Sequence, residues 1–248
     1  MLELKDLSVG YGKKTVLKDL SFSLQKGEIC AVIGPNGCGK STLLKSIPAL
    51  LPRLAGSVTV DGREIATLSR NDIAQRIAYL SQGKTTPDMT VSQIVLHGRF
   101  PYLSYPRHYR EDDLRIASEA MARVGLLPLA NAPLSSLSGG QRQIAYVAMA
   151  LAQDTDYLLL DEPTTYLDLA HQRDVMLLLR SLADTGKGIL TVLHDLPLAF
   201  TLCDRVAVMT DGKIAAVGNP NEISKHPLIR SLFGVSLMEC NGAYYCEL

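Results

Sequence analysis

The sequence reads Gly34-Pro35-Asn36-Gly37-Cys38-Gly39-Lys40-Ser41-Thr42 after an apolar run, and this stretch fits the phosphate-loop pattern G-x-x-x-x-G-K-[ST]. The apolar run Ile29–Ile33 is typical of a buried strand, and the residues from Ser41 to Ile47 favour a helix. In such a loop the glycines let backbone N–H groups point at an anion, while Lys40 reaches the outer phosphates and the Ser41 hydroxyl can ligate Mg²⁺. The sequence therefore predicts that these nine residues bind a nucleoside triphosphate.

Composition and charge exclude several classes of protein. The 248 residues carry 25 Lys+Arg and 25 Asp+Glu, so no net charge favours nucleic acid or an acidic membrane surface. The longest apolar run, near Ile144–Ala152, is far shorter than the roughly 20 residues that cross a bilayer. The N-terminal residues lack the basic and apolar regions of a secretory signal. We expect a cytoplasmic protein whose five cysteines are reduced, although Cys240 and Cys246 are spaced to pair across a hairpin.

The residue pattern along the chain predicts an α/β fold. Strand-like alternation in the N-terminal third gives way to a helical pattern from about Val91 to Leu151. Strands and helices then alternate over Tyr157–Leu160, 169–183 and 189–193, which is typical of crossover units and a parallel sheet. The sequence therefore predicts one compact unit with a helical insertion.

Two further motifs carry chemistry. In Tyr157-Leu158-Leu159-Leu160-Asp161-Glu162 a buried strand ends in two acids, which puts Asp161 where it can ligate Mg²⁺ and Glu162 where it can polarise a water molecule. The second motif, Ser138-Gly139-Gly140-Gln141, opens a helix behind a serine cap and predicts another anion site.

Taken in order, these three motifs resemble those of the nucleotide-binding subunits of ATP-binding-cassette (ABC) proteins, and the resemblance covers essentially the whole chain. It implies a P-loop NTPase core of the RecA-like type over residues 1–90 and 155–233, with an N-terminal antiparallel β-subdomain. It also implies an inserted helical subdomain over 91–154 that carries the signature motif, followed by a C-terminal hairpin over 234–248.

The resemblance assigns roles to four more residues. Tyr11 matches the aromatic on which adenine stacks, and Gln82 matches the glutamine that ligates Mg²⁺ and senses the membrane partner. Asp168 matches the loop that crosses to the opposite subunit, although Thr164–Asp168 departs from the commoner Ser-Ala-Leu-Asp form. His194 matches the histidine that contacts the γ-phosphate. Without the family, Tyr11 reads equally well as a core or turn residue, and Gln82 and His194 as ordinary polar residues.

The same resemblance implies a nucleotide sandwich with ATP and Mg²⁺ as cofactors. Two copies would face head to tail, so that Ser138–Gln141 of one closes on the γ-phosphate held by the other. Lys40, Mg²⁺ and two helix ends would stabilise the transferring phosphoryl group, while Glu162 and His194 handle the water molecule. Whether the second subunit is a copy or a homologue is open at this stage.

The stretch His97–Leu103 and the sequence from Glu162 to Gln172 are similar to those of importers of the iron-siderophore, heme and cobalamin type. The expected function is ATP hydrolysis that drives uptake of a metal chelate through separate permease subunits, supplied by a substrate-binding protein, at the inner face of the membrane. Residues 91–106 then either receive a helix of the permease or form an internal apolar clamp. The hairpin contacts a partner or covers an edge. A soluble ATPase of iron–sulfur cluster assembly is the alternative. Chromosome-maintenance and translation-factor cassettes are disfavoured, because they need a long coiled coil between halves or two cassettes in one chain, and this sequence shows neither.

Overall fold

The structure is a computed structural model that describes residues 1–12, 14–82 and 86–247; residue 248 of the expected hairpin lies outside these ranges. The strands are β1 (Leu2–Tyr11), β2 (Lys14–Leu24), β3 (Ile29–Ile33), β4 (Arg53–Val60), β5 (Arg63–Glu64), β6 (Ile77–Leu80), β7 (Tyr157–Asp161), β8 (Gly188–Val192), β9 (Arg205–Thr210), β10 (Lys213–Gly218), β11 (Ser236–Cys240) and β12 (Ala243–Glu247). The helices are α1 (Lys40–Ser46), α2 (Arg70–Ala74), α3 (Val91–Leu96), α4 (Glu111–Arg123), α5 (Gly139–Ala152), α6 (Leu169–Asp184), α7 (Leu196–Leu202), α8 (Pro220–Ser224) and α9 (Pro227–Phe233).

The central sheet has the strand order β10-β9-β3-β8-β7-β6 within the described ranges. Strands β6, β7, β8, β3 and β9 run parallel to one another, and β10 pairs with β9 in the antiparallel sense. The segments that follow β3, β6, β7 and β8 therefore all leave the sheet at one edge, where ligands bind in sheets of this kind. The predicted α/β fold with a parallel sheet is confirmed.

Both faces of this sheet are buried, because successive residues of a strand point to opposite sides. Cys30 and Val32 pack in a cluster with residues of α1 and of β1, β2 and β4, three strands of the antiparallel sheet β2-β1-β4-β5. Ala31 and Ile33 pack in a second cluster with α3 to α7. The central strands accordingly read as continuous apolar runs, with every residue of β3, β7 and β8 buried.

The helices begin and end at clear local signals. Thr90 and Ser138 each cap a helix in a capping box, with Gln93 and Gln141 as the reciprocal partners. Helix α1 ends at Ser46, as Pro48 predicts, because a proline at this position lacks the N–H that would continue the helix. Among the described residues, the helices include none with both the length and the apolar character to cross a membrane.

The His97–Tyr102 segment forms a 3-10 turn that braces the C-terminal end of α5. A side chain at Gly98 would collide with the carbonyl of Met149, so the turn needs glycine there. The Arg99 guanidinium donates to Asp113 Oδ1 at 3.0 Å and to the Ala152 carbonyl at 3.0 Å. The ring of Tyr102 lies 3.9 Å from this guanidinium, and the Tyr102 hydroxyl donates to the Gln153 carbonyl. These residues serve internal packing, whereas Phe100 and Tyr105 are exposed.

The C-terminal hairpin packs on α7 through Tyr244, whose ring contacts Phe200 and whose backbone N–H donates to the Thr201 hydroxyl. Cys240 pairs with Ala243, whereas Cys246 pairs with Leu237, which lies three positions before Cys240 on the same strand. Because alternate residues point to opposite sides of a strand, the two thiols lie on opposite faces of the hairpin. The disulfide that the sequence leaves open does not form, and both cysteines are free.

Candidate active site

The phosphate loop connects β3 to α1 in a conformation that requires glycine. Gly37 and Gly39 have φ values of 79° and 110°, and a side chain on Gly39 would approach Leu17 to 2.9 Å. The Lys40 ammonium folds back over the loop and donates to the carbonyl oxygens of Gly34 and Pro35 at 2.8 and 3.0 Å. An anion in the loop would compete for this ammonium.

Asp161 ends β7 beside the loop and is 1% exposed. Burial raises the pKa of its carboxyl group above the ordinary value; the Ser41 hydroxyl opposes the shift and the charge of Glu162 adds to it. Asp161 Oδ1 is buried with no hydrogen-bond partner in the described part of the chain. A partnerless carboxylate oxygen near a hydroxyl suits a hard cation that takes oxygen ligands, so the residues fit Mg²⁺. The described residues contain no group of three His, Cys, Asp or Glu side chains able to hold a metal.

Glu162 follows directly in a left-handed backbone conformation, with φ of 55°. Its Oε2 accepts hydrogen bonds from Gln82 Nε2 at 2.6 Å and from the Thr165 hydroxyl at 3.1 Å. Its Oε1 lies 2.5 Å from His194 Nε2. His194 Nε2 donates in this contact when it carries the ring proton, because an ionised carboxylate can only accept. Three loops that follow parallel strands thus hold one carboxylate, which is 12% exposed, at the mouth of the site.

A cavity of about 600 Å³ lies between the phosphate loop and the side chains of Gln82, Glu162 and His194, and Asp161 is not among its lining residues. Its lining residues are Val16, Asn36, Gly37, Gly39, Lys40, Ser41, Thr42, Gln82, Glu162 and His194. The structure therefore brings together most of the phosphate loop with three predicted residues from distant segments. Val16 was missed, because nothing distinguishes it from other apolar residues of β2. Tyr11 ends β1 and is 49% exposed, outside the residues that line this cavity.

Ser138, Gly139, Gly140, Gln141 and Asp168 line a second cavity of about 390 Å³, which includes no residue of the phosphate loop. The loop before α6 crosses the N-terminal end of α5 here, and a side chain on Gly140 would approach Leu167 to 3.2 Å. Asp168 caps α6 and accepts from the backbone and ring nitrogens of His171 at 2.9 and 2.8 Å, which lowers the pKa of its carboxyl group. Within one chain, the signature residues and the phosphate loop therefore belong to separate cavities.

Gln143 joins the two regions. Its side-chain amide donates to the backbone carbonyls of Glu162 and Pro163 at 3.3 and 3.2 Å. Its place two positions after Gln141 is the one sequence feature that sets this residue apart, since a contact between residues about twenty positions apart depends on tertiary packing.

The sequence profile of the ABC transporter family matches residues 17–165. The chain is 43% identical over 241 residues to the petrobactin import ATP-binding protein FpuD of Bacillus anthracis, covering 96% of this chain and 87% of the relative. It is 42% identical over 236 residues to the ferric enterobactin transport ATP-binding protein FepC of Escherichia coli, covering 94% and 87%. It is 38% identical to the hemin import ATP-binding protein HmuV of Rhodococcus jostii, covering 94% and 80%.

Solved structures give the same result. An inward-facing ABC transporter of the metal-chelate type superposes with a TM-score of 0.83 at 28% identity, covering 99% of this chain and 95% of that one. The dimeric ABC transporter cassette MJ0796 superposes with a TM-score of 0.79 at 28% identity, covering 89% and 99%.

Proposed function

The chain belongs to the ABC transporter family, and on this premise we propose that it hydrolyses ATP to power import of a metal chelate through a separate permease. The chain is an ATP-binding ATPase, as the motifs predict, and cassettes of this family act as dimers with permease subunits. Relatives named for petrobactin, enterobactin and hemin import support the chelate class of cargo. The iron–sulfur assembly alternative is not favoured by these relatives.

The observation that carries the proposal is the placement of Glu162 at the mouth of the phosphate-loop cavity. Its carboxylate is held from both sides by Gln82 and His194, so its orientation is fixed before any water molecule arrives. A fixed carboxylate at a γ-phosphate orients and polarises the attacking water molecule. Lys40 neutralises charge on the transferring phosphoryl group, and His194 holds Glu162 while facing the same cavity.

We propose Ser41, Gln82 and Asp161 as the residues that would hold Mg²⁺. The bound cation would neutralise charge on the phosphate oxygens. Gln82 already donates to Glu162 through its amide nitrogen, so any shift of the loop that carries Gln82 would move the carboxylate as well. This contact supports a role for Gln82 in passing the state of the permease to the hydrolytic site.

We propose that the partner's phosphate loop meets Ser138–Gln141 and Asp168 across the dimer. Their separation from the chain's own phosphate-loop cavity supports this assignment, because the signature residues otherwise have no nucleotide to act on. Tyr11 is proposed as the adenine contact, and its exposed ring is free to stack. The exposed Phe100 and Tyr105 are proposed to face the permease at the inner side of the membrane, in a complex that a substrate-binding protein supplies.

The test is purification of the chain with its membrane partner, reconstitution in vesicles and measurement of phosphate release. We expect ATPase activity to rise when an iron-siderophore, heme or cobalamin is offered with its binding protein, and not with a free metal ion. Recovery with a soluble iron–sulfur scaffold, and none with a membrane protein, would contradict the proposal. A Phe100→Ser and Tyr105→Ser double variant should lose the membrane partner but keep basal ATPase activity.

A further inference from the structure

Gln143 occupies the second turn of α5, the helix that begins with the signature residues. Its amide reaches out of the helix to the carbonyls of Glu162 and Pro163, which follow β7. Glu162 sits there with a φ of 55°, a conformation that residues other than glycine adopt rarely and only where the surroundings hold it. One side chain therefore holds the stretch of backbone that sets the direction of the Glu162 carboxylate.

The two ends of this connection belong to different cavities. Glu162 lines the cavity of the chain's own phosphate loop, whereas Ser138 and Gln141 line the other. Gln143 lies five residues from Ser138, so only about 7.5 Å of helix separates the cap from the amide. In the dimer of the proposed function, these two cavities serve two different ATP molecules.

We propose that Gln143 is a positioning residue that couples the two nucleotide sites of the dimer. The proposal rests on the proposed function, because it needs the partner's ATP at the start of α5. When that ATP engages Ser138, α5 settles in one position and the Gln143 amide fixes the backbone of Glu162 for hydrolysis of the chain's own ATP. Both hydrogen bonds lie at the long end of the N–H···O range, so a small shift of α5 can tighten or break them.

The same helix offers a matched control at its other end. Gln153 caps α5 and donates through its amide to the carbonyls of Ala74 and Ile77 at 2.6 and 3.2 Å. It is the same residue type with the same two-carbonyl pattern, but its partners lie outside both cavities. Loss of either amide removes two hydrogen bonds to backbone carbonyls, and only the loss at Gln143 disconnects the two sites.

The test is a double-mutant cycle on kcat with the full-length chain, combining Ser138→Ala with Gln143→Met. Methionine keeps the length of the side chain and removes the donor. We expect Ser138→Ala to lower kcat about tenfold in the parent, as loss of one hydrogen bond does, but less than twofold when Gln143 is already methionine. The control cycle of Ser138→Ala with Gln153→Met should be additive.

Additive effects in both cycles would show that Gln143 is only a structural brace and would overturn the proposal. Gln143→Glu, with the same shape and no donor toward the two carbonyls, repeats the cycle if the methionine variant does not fold. Gln143→Lys returns a donor and should restore part of the sensitivity to Ser138→Ala. A parent chain without ATPase activity, alone or with its permease, would instead refute the proposed function, whereas additive cycles in an active parent would leave that function intact.

Discussion

Replacement of Glu162 by glutamine is the most direct test of the hydrolytic site. The variant keeps the shape of the side chain, and its amide oxygen can still accept from Gln82 and Thr165 as Oε2 does. Its NH₂ group can donate to His194 Nε2 once the ring proton moves to the other nitrogen. Folding and ATP binding should therefore stay close to those of the parent, whereas the negative charge that polarises the water molecule is lost.

The expected fall in kcat follows from the proposed role of Glu162 as a general base. A positioned general base contributes about 10²- to 10⁴-fold to a rate, so kcat should fall by this factor, or by about 3 to 5 kcal/mol in activation free energy. Because ATP then persists between the subunits, the variant should accumulate as a dimer in ATP and Mg²⁺. Phosphate release and size-exclusion chromatography measure the two effects.

Glu119 offers a control for Glu162, because it is an exposed partner of Arg115 on α4 and is not among the residues that line the cavity. Glu119→Gln should hydrolyse ATP at the parental rate and show no change in dimer content. If Glu162→Gln also turned over at the parental rate, Glu162 would not be the general base. A variant that lost ATP affinity in parallel with kcat would likewise refute the reasoning, since the carboxylate would then act in binding.

Three further predictions concern packing and nucleotide contacts. Arg99→Met should lower the free energy of unfolding, measured in urea titrations, by about 3 to 5 kcal/mol, because the Asp113 carboxylate stays buried without its partner. Adding Asp113→Asn to Arg99→Met should recover much of the lost stability, because it removes the unpaired charge. Burial pushes the pKa of Asp113 up, but the Arg110 backbone N–H and Arg99 outweigh it and hold the pKa below its ordinary value. The stabilisation should thus be complete above about pH 4 and disappear as the pH falls through the lower folded-state pKa; a difference between parent and Arg99→Met that grew in acid would contradict this. Lys40→Ala should weaken binding of a fluorescent ATP analogue at least tenfold, roughly the value of one charge-assisted contact, and an equal loss in the exposed control Lys213→Ala would refute the assignment. Tyr11→Ala should weaken ATP binding by about 1 to 3 kcal/mol, whereas Tyr11→Phe should bind ATP with an affinity close to that of the parent. Tripolyphosphate has no base to stack, so it should bind the parent and both variants equally.

The sequence predicted the parts of the site that depend on local pattern. Apolar runs ending in a glycine-rich loop or in paired acids placed Lys40, Asp161 and Glu162 at one edge of the sheet, because parallel strands end together there. The hydrogen bond from Gln82 to Glu162 was not predicted, since the two residues are 80 positions apart in the sequence and come together only because of the strand order. Whether Tyr11 and Asp168 act as the family resemblance implies stays a prediction.

The His97–Tyr102 segment shows that composition alone does not identify which residues of a segment are exposed and available to a partner. Its aromatic residues and proline suggest a docking surface, yet Arg99 and Tyr102 turn inward against the end of α5. The ion pair with Asp113 is invisible in the sequence, because it depends on how α4 packs beside the turn. Among the aromatic side chains from 97 to 105, all of which the structure describes, those of Phe100 and Tyr105 are exposed.

Gly98 and Arg99 anchor α5 at its C-terminal end, so a tilt of the helix would pivot about that end. Fourteen residues span about 21 Å, so a tilt of about 5° would move the N-terminal turn of α5 by about 2 Å. A displacement of that size exceeds the tolerance of a hydrogen bond. A small rocking motion near the anchored end would therefore be large enough at Ser138 to make or break a hydrogen bond there.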